Sequence, residues 1–299
     1  EGGNLQYANA SLTEIDPNSN PSYVQPPNTT SPGDLNTAVD PHDYDSSTSS
    51  SSSSSSPYEA GVYVTGLTYT GLNGEAYTAD RELYLIKYNL SGVRQWTIVS
   101  NLVTAGKNIW GMDVAIDSNH DLYVVGATTG AYAAGAAIPA ATDIILIKYN
   151  SLGVQQWARQ ITTGSTSKGF SITIDSNDSV YICGMAKSSL PNVNISMPGN
   201  TNTNFFLIKY DVNGNKQWTD QWGAGAIDMA YGVSAIDNNN IYIVGIAREH
   251  GVTTSFPDAT DGPCSAAGGE NDTAQIGSDD IFIVKYDESL GDPTNTGYR

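Results

Sequence analysis

The run Ile144-Ile-Leu-Ile-Lys-Tyr-Asn-Ser-Leu-Gly-Val-Gln-Gln-Trp157 constrains this chain most, because the chain writes it again elsewhere. It returns as Leu83-Tyr-Leu-Ile-Lys-Tyr-Asn-Leu-Ser-Gly-Val-Arg-Gln-Trp96 and as Phe205-Phe-Leu-Ile-Lys-Tyr-Asp-Val-Asn-Gly-Asn-Lys-Gln-Trp218. A shortened copy reads Ile281-Phe-Ile-Val-Lys-Tyr286. The tyrosine of the Lys-Tyr pair falls at 88, 149 and 210, 61 residues apart, and then at 286, 76 further on. Self-similarity at such a period means one supersecondary unit stacked on copies of itself, since a lone unit cannot bury its apolar faces.

Each unit contains four short runs with strand character. The first, a, reads Met112-Asp-Val-Ala-Ile-Asp117, Phe170-Ser-Ile-Thr-Ile-Asp175 and Gly232-Val-Ser-Ala-Ile-Asp237. The second, b, reads Val62-Tyr-Val-Thr-Gly66, Leu122-Tyr-Val-Val-Gly126, Val180-Tyr-Ile-Cys-Gly184 and Ile241-Tyr-Ile-Val-Gly245. Between a and b stand Ser118-Asn-His-Asp121, Ser176-Asn-Asp-Ser179 and Asn238-Asn-Asn240, residues that make tight hairpins. The Lys-Tyr run is c, and the Gln-Trp run is d, reached through a turn at Gly92, Gly153 or Gly214. No segment between these runs shows an apolar period of 3.6, so the expected fold is all-β. Four-stranded antiparallel units repeated in register predict a β-propeller of four blades, preceded by an extended N-terminal arm.

The same residues carry a family resemblance. Ala-Ile-Asp-Ser-Asn, then Tyr-Val-Val-Gly, then Asp-Ile-Ile-Leu-Ile-Lys-Tyr-Asn and Gly-Val-Gln-Gln-Trp together resemble the SBBP-type (seven-bladed β-propeller) repeat of secreted and cell-surface microbial proteins, over residues 62–290. The resemblance implies an extracellular propeller and brings no catalytic residues with it. The chain departs from that pattern in having four units, each longer than a blade of 40 to 50 residues.

Counting runs by type leaves two strands unaccounted for: the a strand that precedes Val62 and the d strand that follows Tyr286. A sheet edge without its partner exposes unpaired N–H and C=O groups and recruits any strand that reaches it. The open edge is expected at Ile281, Phe282, Ile283, Val284, Lys285 and Tyr286. The candidate donor is Leu12, Thr13, Glu14, Ile15 and Asp16, followed by Tyr23 and Val24, because Glu-Ile-Asp matches the end of strand a. These lie in an arm, residues 1–45, joined by a Ser-rich tether, 46–57, to the propeller at 58–299. The flexible chain between donor and propeller reaches on the order of 30 to 35 Å, enough to close its own ring or to cross to a neighbour. Closure in cis gives a monomeric module; donation in trans gives an open filament or surface lattice.

Charge narrows the partners. The 31 acidic against 13 basic residues give a net charge of −18, which repels a phosphate backbone and an anionic membrane surface, so nucleic acid is not expected. No run of 18 apolar residues exists, so no helix spans a bilayer and the chain reads as soluble. It starts at Glu1 without a basic-then-apolar leader, so any secretion signal is expected to be already removed or never included. Cys183 occupies a strand position held by Thr65, Val125 and Val244 in other units, which reads as a buried inert thiol; a Cys183–Cys264 disulfide is the alternative.

The candidate sites divide between packing and binding. Lys87, Lys148, Lys209 and Lys285 recur in strand c; a ring of cations suits an anion, but acids at Glu82, Asp143, Asp280, Asp117, Asp175 and Asp237 favour ion pairs within each blade. Trp96, Trp157 and Trp218 read as packing between adjacent blades. Asp117, Asn119 and Asp121 alternate oxygens like the opening of a calcium loop, but Leu122 and Thr128 stand where that loop needs Gly and Glu, so they read as a hairpin. The acids Asp258, Asp261, Glu270, Asp272, Asp279 and Asp280 are an equally weak calcium set, and no cofactor is expected. His42, His120 and His250 share no motif, and no nucleophile elbow or zinc helix occurs, so the chain is not expected to be an enzyme. Sequons at Asn9, Asn28, Asn89, Asn177, Asn194 and Asn271 fit glycosylation of a surface protein. The expected function is a structural subunit that assembles with copies of itself. The alternative is a monomeric module or adhesin that binds glycan or protein through its long b to c loops.

Overall fold

The computed structural model describes residues 36–39, 60–69, 72, 81–100, 107–132, 136–193, 203–222, 227–248, 264–266 and 279–288. Among the described residues sixteen strands form four antiparallel four-stranded sheets. The first contains β1 (Asn36–Val39), β2 (Gly61–Thr68), β3 (Glu82–Asn89) and β4 (Arg94–Val99); the second β5 (Ile109–Ile116), β6 (Leu122–Thr128), β7 (Asp143–Tyr149) and β8 (Gln155–Ile161). The third contains β9 (Ser167–Ile174), β10 (Val180–Ala186), β11 (Asn204–Tyr210) and β12 (Lys216–Trp222). The first three are meanders in chain order. The fourth, with β13 (Ile227–Asp237), β14 (Asn240–Arg248), β15 (Cys264–Ala266) and β16 (Asp279–Tyr286), runs in the order β13-β14-β16-β15.

Both strands absent from the repeat census are present, from places the repeat does not mark. The inner strand of the first sheet is Asn36–Val39, antiparallel to β2 with Asn36 opposite Thr65 and Val39 opposite Val62. The expected donor, Leu12 to Asp16 with Tyr23 and Val24, lies outside the described residues, and the arm drawn as residues 1–45 contributes a strand of the propeller itself. The outer strand of the fourth sheet is Cys264–Ala266, inside the long b to c insertion, which folds back to pair with Tyr286, Lys285 and Val284. The predicted open edge is therefore covered over residues 284–286. On that side, residues 279–283 have no strand partner among the described residues.

One turn, between strands c and d, is built the same way in each meander. At the end of strand c the Asn150 side-chain oxygen accepts the N–H groups of Leu152 and Val154 at 3.1 and 2.9 Å, and Asn89 and Asp211 cap their turns the same way. Gly92, Gly153 and Gly214 then adopt φ of +75°, +80° and +73°, the left-handed region in which a Cβ is costly. The b and c strands read as continuous apolar runs because both of their faces are covered: every residue of β6, β7 and β10 is buried. Burying each such Val, Leu or Ile contributes about 1.5–3 kcal/mol, so packing between sheets dominates the stability.

Among the described residues three large apolar cores join the four sheets in series, with a small cluster of Trp110, Met112 and Ala127 packed by Leu67 and Phe170 beside them. Tyr63, Leu83 and Leu85 meet Ile145, Ile147 and Tyr149 between the first and second. Val125, Ile144 and Leu146 meet Ile182, Phe206 and Ile208 between the second and third. Cys183, Phe205 and Leu207 meet Ile243, Phe282 and Val284 between the third and fourth. A main-chain hydrogen bond repeats beside each core: Ile109 N–H to Arg81 O at 3.0 Å, Ser167 N–H to Thr142 O at 2.8 Å, and Asp228 N–H to Thr203 O at 2.8 Å. Among the described residues no corresponding core joins the fourth sheet to the first, so four sheets share three interfaces.

Cys183 sits in the third of these cores as a free thiol, so the alternative pairing with Cys264 is not made. Its Sγ lies 3.7 Å from the Ala230 carbonyl oxygen, and burial pushes the thiol up, which keeps it protonated.

Candidate functional site

Because strand positions repeat, side-chain roles repeat. In the second sheet the register places Tyr123 opposite Lys148 and Lys148 opposite Trp157, with Asp117 just past the end of β5. Lys148 Nζ lies 2.8 Å from Asp121 Oδ2 and 3.2 Å from Asp117 Oδ2, and 4.7 Å from the Tyr123 ring centroid. The Tyr123 hydroxyl donates to Asp117 Oδ2 at 2.9 Å, while Asp117 Oδ1 accepts the N–H groups of Asn119 and Asp121 at 2.9 Å. Both oxygens of Asp117 are engaged inside the hairpin, whose His120 carries a φ of 61°. Asp117, Asn119 and Asp121 are thus a side-chain-capped turn in place of a cation loop.

This cluster grips the next sheet. Val212 O, on the turn between β11 and β12, accepts Trp157 Nε1–H at 3.3 Å and Lys148 Nζ–H at 3.4 Å. Arg159, stacked 4.9 Å over Trp157, donates to Gly214 O at 2.7 Å and Asn213 O at 2.9 Å. In the third sheet the same positions close on a carboxylate: Lys209 reaches Glu288 Oε2 at 2.6 Å and Trp218 Nε1–H reaches Glu288 Oε1 at 2.9 Å. Tyr181 completes that set, donating to Asp175 Oδ2 at 3.1 Å beneath Lys209. Burial, with the neighbouring aspartates, pushes the Tyr123 and Tyr181 phenols well up, so both remain donors.

The expectation of ion pairs confined to one blade holds for Lys148 and fails for Lys209, whose partner is on the next sheet. It fails also for Asp143, whose Oδ2 accepts from Gln160 at 2.8 Å and Thr162 at 2.7 Å. The tryptophans pack between sheets as their register predicts: Trp218 stacks on Tyr286 with centroids 5.1 Å apart. Glu288 and Val212 were not singled out in the sequence, although both stand two places after the tyrosine of the Lys-Tyr pair, where Leu90 and Ser151 stand in the first two units.

Among the described residues the one carboxyl pushed strongly up is Asp113, raised by burial to about 6 against the pull of its hydrogen bonds from Ser171 Oγ, Ile172 N and Val114 N. It ties the second sheet to the third. Its folded pKa exceeds the unfolded value, so its contribution is fully present below the unfolded pKa and is lost as pH rises through about 6. The melting temperature is therefore expected to gain from this group as pH falls from about 6 to about 4, and that gain should vanish in Asp113→Asn, read from thermal melts of both chains across this window.

The fourth sheet carries the same positions without a covering sheet among the described residues. Tyr63, Thr65, Leu83 and Leu85 of the first sheet, Tyr123, Val125, Ile144 and Leu146 of the second, and Tyr181, Cys183, Phe205 and Leu207 of the third are at most 1% exposed. Their equivalents in the fourth, Tyr242, Val244, Ile281 and Ile283, are 38%, 42%, 79% and 53% exposed. Asp237 and Lys285 flank them at the places of Asp117 and Lys148, and Lys285 helps hold the Asp237 carboxyl down, after hydrogen bonds from Asn239 and Asn240. Of the sequons, Asn177 is exposed on the β9–β10 turn and Asn89 caps the β3–β4 turn, while Asn9, Asn28, Asn194 and Asn271 lie outside the described residues. So do most of the b to c loops and the acids at 258, 261, 270 and 272.

Comparison with known proteins agrees with the repeat. Over 132 residues, 40% of this chain, it is 29% identical to an uncharacterised WD repeat-containing protein of Acanthamoeba polyphaga mimivirus. Over 118 residues, 38% of the chain, it is 29% identical to the regulatory protein FlaEY of Caulobacter vibrioides. The matches span 10% and 12% of those relatives' lengths. A crystal structure of a protein of unknown function from Bacteroides caccae superposes with a TM-score of 0.32 at 10% identity, covering 63% of this chain and 62% of that one. Residues 156–191, from β8 to the loop after β10, match the family model described as beta-propeller repeat, SBBP. The chain is therefore an all-β protein of four antiparallel sheets in which residues 156–191 match a beta-propeller repeat.

Proposed function

We propose that this chain is a non-enzymatic, extracellular structural subunit that assembles with copies of itself. The observation that carries the reading is that, among the described residues, four sheets in series share three interfaces, which leaves apolar positions of the fourth sheet without the neighbour that covers them in the other sheets. Stacked repeats bury such faces against the next repeat, and an unmatched end invites another molecule. Among the described residues the carboxyl pushed strongly up, Asp113, lies between sheets and is consumed by structural hydrogen bonds, which favours a scaffold over catalysis.

Donation of an N-terminal strand fits this role. The first sheet already has Asn36–Val39 in its inner place, so the edge left to a donor is that of residues 279–283, and the segment from Leu12 to Asp16 equals it in length. Size-exclusion chromatography with light scattering tests the reading. The full chain is expected to form species larger than a monomer that grow with concentration and, because each copy carries −18 charges, with added salt. Removal of residues 1–30, which spares β1, is expected to shift the distribution toward monomer. A chain that stays monomeric at every concentration and salt level overturns self-assembly and favours a binding module.

A further inference from the structure

The geometry points to a specific contact: the outward face of the fourth sheet seats the first sheet of a second copy, in the manner of one blade following another. This rests on the self-assembly reading and names its interface. What covers the equivalent face is known three times over within the chain. In each case it is the leading face of the next repeat, the side formed by Leu122, Val124, Ile145 and Ile147 in the second sheet and by Val180, Ile182, Phe206 and Ile208 in the third. Among the described residues one leading face of the four has no preceding sheet, that of the first, and it carries the same pattern: Val62, Val64, Tyr84 and Ile86. Three of those four, with Tyr88 beside them, keep partial exposure, whereas Tyr149 and Tyr210 at the place of Tyr88 are 2% and 3% exposed. Among the described residues the fourth sheet thus presents a socket and the first sheet the matching plug.

The polar part of the joint follows the same rule. Lys148 and Trp157 donate to the carbonyl two places after the tyrosine of the next unit, Val212. On the fourth sheet Asp237, Tyr242 and Lys285 repeat the arrangement of Asp117, Tyr123 and Lys148, without a tryptophan. In a second copy the corresponding acceptor is the carbonyl of Leu90, on the β3–β4 turn, and Leu90 is 64% exposed. The contact joins two different surfaces. It propagates head to tail, closing to a ring or extending as a filament according to the rotation per copy.

The test uses charges placed on the exposed face of the full-length chain. Ile281→Asp with Ile283→Asp alters two side chains that are mostly exposed, so folding is expected to be retained, with an unchanged thermal melt as the control. Assembly of this double variant is expected to be at least roughly tenfold weaker by sedimentation or light scattering, because each carboxylate has to be desolvated in an apolar joint. A second variant, Val64→Asp, or Tyr88→Asp if that chain does not fold, blocks the plug. Each blocked chain alone is expected to be monomeric, and a mixture of the two is expected to stop at a heterodimer, since one intact socket and one intact plug remain. If the full chain assembles and the double variant assembles equally well, this interface is wrong while self-assembly stands. If the unaltered chain never leaves the monomer, both fall.

Discussion

Gly184→Ala is expected to cost about 3 kcal/mol or to prevent folding, although it adds a single methyl group. A Cβ built at Gly184 overlaps the carbonyl oxygen of Lys168 and comes within 3.0 Å of Gly169 Cα. Both are backbone of β9, which is paired to β10 and cannot rotate out of the way. The register shifts at this point, between Cys183 and Gly184, so the bulge brings the two backbones together where a side chain would stand. Gly126 and Gly245 end the same motif and meet the carbonyl oxygens of Trp110 and Met229, so the repeat spells Gly because the bulge recurs. Gly92→Ala provides the contrast. Nothing lies within 4 Å of its Cβ, and its cost is the strain of φ +75° alone, about 1 kcal/mol. Urea unfolding separates the cases: the midpoint should fall several times further for Gly184→Ala at an unchanged slope. Equal losses for the two variants would show that the close approach at the bulge is not what requires glycine.

That glycine shows how much of the architecture could be read from residues alone. Period, strand type and turn positions are local properties, written by apolar alternation, by Asn or Asp at the turn entrances and by Gly where φ turns positive, and each repeats three or four times. The strands at the two ends of the array are a different matter. Asn36-Thr-Ala-Val39 has four residues and no Ile-Asp ending, and it becomes a strand because β2 offers it an unfilled edge. Leu12 to Asp16 shares the Ile-Asp ending of strand a, yet similarity of sequence does not decide which segment fills the edge of β2. Cys264–Ala266 is further hidden, since its partner β16 precedes it in space and follows it in the chain. The candidate site divides the same way. The Lys, Tyr, Asp and Trp positions were visible as repeats, whereas Glu288 acquires a role only through the sheet packed beside it.

Lys148→Ala is expected to be the second severe lesion, at about 3–5 kcal/mol, and its size separates a structural clamp from a surface ion pair. Asp117 is 1% exposed and Lys148 is 7% exposed, so removal of the ammonium leaves a carboxylate in a place where water cannot replace it. An exposed pair contributes at most about 1 kcal/mol, so the two descriptions predict different numbers. Part of the loss belongs to the joint between sheets, because Lys148 also donates to Val212 O, leaving Trp157 Nε1 at 3.3 Å and the Tyr123 hydroxyl at 3.5 Å as donors there. Lys148→Met in combination with Asp117→Asn tests the division. The asparagine keeps an oxygen for the Asn119 and Asp121 amides, and the methionine keeps the apolar stem over Tyr123. With both charges gone the double variant is expected to recover about half of the loss, a coupling of about 2 kcal/mol in a double-mutant cycle. The unrecovered part is then the hold on Val212, and it should be matched by Trp157→Phe, which retains the ring against Tyr123 and deletes the Nε1 donor. Additive losses across the cycle would mean that Asp117 and Lys148 act independently, and that the sheets are joined by their apolar cores alone.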